Sequence, residues 1–337
     1  MAEQSGRKRL VGKVAIVTGS GAGLGRAEAR LFAAQGAKVV VNDIAVKNGE
    51  SLAQTVVDQI RAEGGEAVAN TDSVAEFHGA ERLVKTAMDD FGRLDILVNN
   101  AGITNFIPVY ELTENDWDQM MAVHLKGAFG TIRFASPIMC QQRSGVIINT
   151  GSESGLGRVF GANYAAAKEG LIGLTRTVAK EIGRFNVRCN AIRPRAAGTT
   201  IAEGLDPEAT SSTPTEAWPI GATPEKYRPV LRALGRYWLG NRAHIPMSPE
   251  IFSPERVAPL VVWLCTDAAS DVNGQDFYVG GNEVGLYPDL ELERLLYREG
   301  GWDLDALDNS GSNDLIADLT NRYLLDDHPE LQQFEGA

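Results

Sequence analysis

The sequence has little cysteine and little histidine: three of the former and four of the latter in 337 residues. Cys140, Cys189 and Cys265 stand far apart, and no two have CxxC spacing. This argues against a disulfide framework or a zinc site and suits reduced thiols in a cytoplasmic chain; no metal is expected. Long apolar runs are also missing, and none approaches the ~20 residues a membrane span requires. The start, "MAEQSGRKRLVGK", is polar and basic without a following apolar stretch, so no secretory signal is expected. The end, "QQFEGA", matches no peroxisomal or ER address. A cytoplasmic protein with no membrane partner is the expectation. Positive charge is scarce as well, with 32 Lys and Arg against 44 Asp and Glu and a net charge of −12. From Glu283 onward fourteen acids face only Arg294, Arg298 and Arg322, so the tail carries nearly all of that charge. Nucleic-acid binding needs a basic face to displace counterions, which argues against a nucleic-acid partner. The acidic run reads as a solvated surface.

What is present is alternation. Short β-branched runs at Val14–Thr18, Lys38–Asn42, Glu66–Asn70, Leu94–Asn99, Val146–Thr150, Val187–Ile192 and Phe277–Val279 predict strands. Helical patterns near 23–35, 50–63, 77–91, 114–139, 163–184 and 254–265 separate them. Strand and helix repeated in this way predict an α/β fold, a Rossmann-like doubly wound parallel sheet of about seven strands with helices on both faces. Residues 1–282 form one dinucleotide-binding catalytic domain in this reading. An insertion at 200–250 lies above the carboxyl ends of the strands, where ligands bind in such sheets. Residues 283–337 make an acidic C-terminal extension that packs across a subunit or over the site entrance, or is disordered.

The first strand runs into "TGSGAGLG" and then a helix. Gly19, Gly23 and Gly25 are spaced GxxxGxG, with Leu24 among them. Backbone without Cβ lets a pyrophosphate approach the amides at a helix N-terminus, where the dipole favours negative charge. Eighteen residues after Gly25 comes Asp43, at the end of "VVVNDI". A carboxylate there accepts from ribose hydroxyls and repels a 2′-phosphate, which predicts NAD(H) rather than NADP(H). Arg26 is a weaker vote for the phosphate. Asp72, followed by Ser73, ends the third strand and is placed to meet the adenine amino group. Asn99, Asn100 and Gly102 of "LVNNAG" supply polar backbone beside the cofactor, although each is also an ordinary strand-end turn residue.

Taken together, "TGSGAGLG", Asp72, "NNAG", Ser152 with Tyr164-x-x-x-Lys168, and "NGQDFYVGG" resemble the short-chain dehydrogenase/reductase family from about Leu10 to Gly281. Within it, "TGSGAGLGRAEA", "VVVNDI", "VANTDSV", "VHLKGAF" and "ANYAAAKEGLIGL" resemble the (3R)-hydroxyacyl-CoA dehydrogenase domains of type 2 multifunctional enzymes. The resemblance implies that Tyr164 exchanges a proton with the substrate oxygen and Ser152 hydrogen-bonds it. It also implies that Lys168 holds the nicotinamide ribose. Four residues is one helical turn, so Tyr164 and Lys168 project together, and an ammonium beside a phenol lowers the phenol's pKa.

There are three departures from the family pattern. Ser152 stands one residue closer to Tyr164 than is usual, and Ser154 lies nearby. His124 occupies the place of a catalytic Asn, where it either holds a relay water or packs. The loop "RPRAAGTT" replaces the usual Pro-Gly, with Pro194 matching and Thr199 where the family contacts carboxamide or phosphate.

In the insertion, Arg228, Arg232 and Arg236 recur every four residues beside Leu231, Leu234 and Trp238. Such a helix meets the phosphates of coenzyme A or is an ordinary solvated face. The implied partner is a small molecule: an acyl-CoA, a steroid or a cyclic alcohol. Self-association into a homodimer or homotetramer through the helices carrying His124 and Tyr164 is a further family expectation. The leading expectation is an NAD(H)-dependent dehydrogenase of a secondary alcohol, foremost a (3R)-hydroxyacyl-CoA. Hydroxysteroid, cis-diol or other cyclic-alcohol dehydrogenases, and an NAD-binding sensor without turnover, are the alternatives.

Overall fold

In the computed structural model the described residues are 8–105, 107–158, 160–197, 250–300, 302–308 and 315. Thr199 and the insertion with Arg228, Arg232 and Arg236 lie outside the described residues.

Every residue of β1 (Val14–Thr18) is buried, as a strand covered on both faces requires. Val14 and Ile16 point into one core, Ala15 and Val17 into the other, following the two-residue period of a strand. On one face α1 (Gly23–Ala34), α2 (Leu52–Ala62) and α7 (Ala258–Leu264) contribute Phe32, Val57, Ile60 and Val261. On the other, α3 (Phe77–Phe91), α5 (Gly127–Gln142) and α6 (Ala162–Ile182) contribute Leu83, Ile132, Met139 and Val178.

The remaining strands are β2 (Lys38–Asn42), β5 (Glu66–Asn70), β6 (Ile96–Asn99), β7 (Gly145–Thr150), β8 (Val187–Arg195), β9 (Asp276–Gly280) and β10 (Glu283–Leu286). They lie in the order β10-β9-β8-β7-β6-β1-β2-β5. β3 (Val46–Lys47) and β4 (Glu50–Ser51) form a separate ribbon, turned by Asn48 and Gly49, both at positive φ. The chain reverses its direction of travel across the sheet at β1, which pairs with β2 on one side and β6 on the other. The crevice above this switch point is where open α/β sheets bind ligands.

The structure differs from the sequence expectation in two places. The main sheet has eight strands rather than about seven. Gly281, at φ +57°, turns the chain back so that β10 runs antiparallel to β9. The helix expected over 114–139 is interrupted: α4 (Glu114–Met121) passes through a π turn at Ala122–Lys126 into α5. A π turn is a wide spot often found at functional sites, and this one carries the buried His124.

Met1–Tyr287 form one compact unit, so β10 and Tyr287 belong to the body. Pro288–Ala337 form a second. Within the second, Arg298 pairs with Asp303 at 2.9 Å, and Asp303 caps the single turn Leu304–Ala306.

Candidate active site

The Gly-rich turn is fixed by close packing. Gly19 sits at φ +61°, and a Cβ there would lie 2.7 Å from the Cα of Ala101. A Cβ on Gly25 would strike the carbonyl oxygen of Gly19 and lie 2.6 Å from Nδ2 of Asn100. Asn100 fastens the turn from below, donating from Nδ2 to the carbonyls of Thr18 at 3.0 Å and Gly19 at 3.1 Å. Thr18 Oγ1 accepts from the backbone N–H of Asn100 at 3.0 Å and of Ala101 at 2.9 Å. Gly23, at φ +53°, opens α1, whose N-cap Ala22 offers no side-chain acceptor. The first-turn amides are thus left without a side-chain cap, as an anion site requires. Leu24 packs into the first core.

Asp43 faces this turn. Its Oδ2 accepts from the N–H of Gly21 at 2.8 Å and its Oδ1 from that of Ala45 at 2.9 Å. A Cβ on Gly21 would lie 2.6 Å from Cβ of Leu52 and 2.8 Å from Oδ2 of Asp43. Gly21 is therefore a working part of the site that the GxxxGxG spacing passes over. Its signal in the sequence is only that it is the second of the run's four glycines.

Asp72 is held by its own neighbours: Asn70 donates to Oδ2 at 2.9 Å and Arg82 to Oδ1 at 2.6 Å, while Asn42 takes its carbonyl at 2.9 Å. Ser73 shapes the turn into α3, its carbonyl accepting from Glu76 at 3.2 Å. Asn99 lies deeper, in a buried chain. Thr131 donates to Asn99 at 2.6 Å, Asn99 to Asn149 at 2.9 Å, and Asn149 to Thr175 at 2.9 Å. This chain ties α5, β6, β7 and α6 together beneath the site.

Ser152, Tyr164, Lys168 and His124 come together at the carboxyl ends of β6 and β7. The Ser152 hydroxyl accepts from the Ser154 N–H at 3.1 Å and stands near enough to the Tyr164 phenol to lower its pKa. Of the two nearby serines, then, Ser152 meets the tyrosine, and Ser154 supplies backbone. Lys168 is buried, and its Nζ donates to the carbonyl of Thr150 at 2.5 Å and lies 5.6 Å from the centre of the Tyr164 ring. Burial pushes the Lys168 ammonium down to about 7.

Burial raises the Tyr164 phenol above its ordinary value, and the Ser152 hydrogen bond and the Arg158 guanidinium pull it back. The helical spacing predicts that Lys168 acidifies the phenol. In the structure the groups that lower its pKa are Ser152 and Arg158. Arg158, itself pushed down to about 9 by burial, is thus a second residue that the motifs do not reveal. Only its place in the loop six residues before Tyr164 hints at it.

His124 is 2% exposed. Its Nε2 lies 2.7 Å from the carbonyl of Ile103 and 3.1 Å from the N–H of the same residue. One ring nitrogen cannot donate and accept at once, and the shorter contact assigns the proton to Nε2. Nδ1 is then an acceptor, and it has no hydrogen-bond partner among the described residues. Burial first, then the charge of Lys168, hold the imidazole well below its ordinary value, so it is neutral. The ring meets Tyr164 edge-on, with centres 5.2 Å apart. Gly102 makes room for it, since a Cβ there would lie 2.5 Å from Cε1. Pro194 lies on β8 opposite Val279, and the chain beyond it toward Thr199 leaves the described residues.

The site is thus a glycine-lined anion cradle, an acidic residue facing it, and a phenol between a hydroxyl and an amine. Comparison with known proteins bears on that arrangement. The family model described as short chain dehydrogenase matches residues 13–210. The peroxisomal multifunctional enzyme type 2 of Mus musculus is 40% identical over 294 residues, covering 86% of this chain and 34% of its own length. The chain spans about a third of the length of such multifunctional enzymes. The 3-oxoacyl-[acyl-carrier-protein] reductase of Synechocystis is 37% identical over 279 residues, covering 82% of this chain and 98% of its own. The crystal structure of a short chain dehydrogenase from Mycobacterium avium superposes with a TM-score of 0.72 at 36% identity, covering 91% of this chain and 95% of that one.

Proposed function

The chain belongs to the short-chain dehydrogenase family and is an oxidoreductase; from that premise we propose that it is NAD(H)-dependent and interconverts a (3R)-hydroxyacyl thioester of coenzyme A and its 3-oxo form. The observation that carries this reading is the buried Lys168 amine, 5.6 Å from the centre of the Tyr164 ring, with Ser152 acting on the same phenol. The residues fit a dinucleotide. Close packing at Gly19, Gly21 and Gly25 keeps the turn bare, the α1 amides have no side-chain cap, and Asp43 faces the turn. The α1 amides would hold the pyrophosphate, and Asp43 the adenosine ribose hydroxyls, disfavouring a 2′-phosphate.

A bound nicotinamide supplies or takes the hydride. The chain's own residues do the rest. The Ser152 hydroxyl orients the substrate oxygen, and Tyr164 Oη gives that oxygen its proton in reduction or takes it in oxidation. Lys168, anchored to the Thr150 carbonyl, keeps its remaining N–H groups for ribose hydroxyls. His124 is neutral, and its bare Nδ1 is placed to accept from a relay water.

The thioester substrate is supported by a relative whose name concerns acyl chemistry, the 3-oxoacyl-[acyl-carrier-protein] reductase. A cytoplasmic location and self-association complete the proposal. Three free thiols support the first, and exposed Trp117 and Phe129 on α4 and α5 support the second. The test is NADH and NADPH oxidation with 3-oxoacyl-CoA thioesters, 3-oxosteroids and cyclic ketones. Thioester turnover with NADH by at least tenfold over the others is expected. Preference for a steroid or cyclic ketone overturns the substrate assignment, and NADH binding without any turnover overturns the enzyme.

A further inference from the structure

Arg193 is among the largest fully buried side chains of the protein, 2% exposed on β8. Burying a guanidinium is costly unless its donors are met, and here each branch has its own partner. Nε donates to Oδ2 of Asp276 on β9 at 2.7 Å. Nη2 pairs with Oε2 of Glu169 on α6 at 2.9 Å. Nη1 donates to the backbone carbonyl of Ser152 at 2.8 Å. The Tyr287 ring lies 5.2 Å from the guanidinium carbon, and its hydroxyl donates to Glu153 at 3.1 Å.

The two ends of this cluster matter for the chemistry. Glu169 directly follows Lys168 on the helix that carries Tyr164, and Ser152 is the residue whose hydroxyl meets that phenol. The Ser152 carbonyl also accepts from the Gly155 N–H at 3.1 Å, so two donors fix its peptide. Gly155 itself is shaped to the pair: a Cβ there would lie 2.6 Å from Oε2 of Glu169 and 3.1 Å from Nη1 of Arg193. With its backbone fixed and its hydroxyl oxygen accepting from Ser154, Ser152 has its proton free to point at Tyr164.

We infer that Arg193 is a positioning residue for the Ser152–Tyr164 pair. Its planar fork sets the distance between the loop carrying the hydroxyl and the helix carrying the phenol. Asp276 orients the fork. This rests on the proposed roles of Ser152 and Tyr164, but it is a statement about geometry that holds with or without turnover.

The experiment has two readouts in the full-length protein. With a 3-oxoacyl thioester, Arg193→Gln is expected to lower kcat by ~10–100-fold, the effect of a small misplacement of reacting groups. KM and NADH affinity should change by less than about threefold. Independently of turnover, 3-fluorotyrosine at position 164 reports the phenol's titration by ¹⁹F NMR. Arg193→Gln should move its midpoint upward, in the same direction as Ser152→Ala, and the double variant should go no further than Ser152→Ala alone.

An unmoved midpoint, or shifts that add in the double variant, overturns the inference, even if kcat falls. If Arg193→Gln does not fold, Arg193→Lys and Asp276→Asn must show the same coupling to Ser152→Ala, or the inference fails. A parent protein without thioester turnover sinks the proposed function while the ¹⁹F cycle still decides on Arg193.

Discussion

Lys168 Nζ donates to the carbonyl oxygen of Thr150 at 2.5 Å, at the carboxyl end of a strand, and it makes no ion pair with a carboxylate among the described residues. Burial alone pushes the amine down to about 7. The cost of the buried ammonium is full below that value and is relieved as pH rises toward the ordinary lysine range. From about pH 7 to 10 this group therefore adds stability with rising pH, at up to about 1.4 kcal/mol per pH unit. Lys168→Met should remove that slope from urea midpoints of the protein without added nucleotide. Equal slopes in parent and variant would show that the amine titrates normally.

Glu28 shows the opposite sign. It is wholly buried on α1, and neither carboxylate oxygen has a hydrogen-bond partner among the described residues. Burial raises it to about 8. The folded protein holds this proton more tightly than the unfolded chain does. The stabilisation is thus intact below about pH 4.5 and is lost as pH rises through 8. Glu28→Gln should match the parent near pH 5 and exceed it at pH 9 by a Tm difference of roughly a few degrees. A constant offset at both pH values would count against a buried neutral acid.

Asp43 holds the N–H groups of Gly21 and Ala45 as well as facing the turn. Asp43→Ala should reduce the ratio of kcat/KM for NAD(H) over NADP(H) by about tenfold or more, since one good charge-assisted contact is worth ~1.5–3 kcal/mol. It should also raise KM for both cofactors because the turn loosens. An unchanged ratio would remove Asp43 from cofactor choice.

His124 anchors Ile103 through one nitrogen where a side-chain amide would offer both a donor and an acceptor. His124→Asn should therefore keep kcat within about tenfold of the parent, while His124→Leu should lower it by ~10²-fold or more, the usual weight of a proton-transfer partner. Because the imidazole is already neutral, no limb of the parent's pH–rate profile should disappear in His124→Asn. Loss of a limb would make the ring a titrating acid or base.

Much of this was legible in the residues themselves. β1 and β2 begin and end where the β-branched runs do, because strands covered on both faces are written as continuous apolar runs. Tyr164 and Lys168 share a face by helical periodicity alone. What escaped is what depends on partners distant in the chain. Arg193 meets Asp276 across 83 residues and Ser152 across 41, and "RPR" in isolation reads as a polar strand end. The π turn at His124 has no Pro or Gly signature within it, and β10 follows from one glycine at positive φ. The helix that carries the buried Glu28 packs against α7, which lies more than 200 residues further on.

The central claim is that the Tyr164 hydroxyl carries the proton while the rest of the site binds the dinucleotide. The direct measurement is Tyr164→Phe, followed by NADH fluorescence titration and by oxidation of NADH with a 3-oxoacyl-CoA. Binding within about threefold of the parent and turnover reduced by ~10³-fold or more are expected. A variant that turns over at the parent's rate would contradict the account.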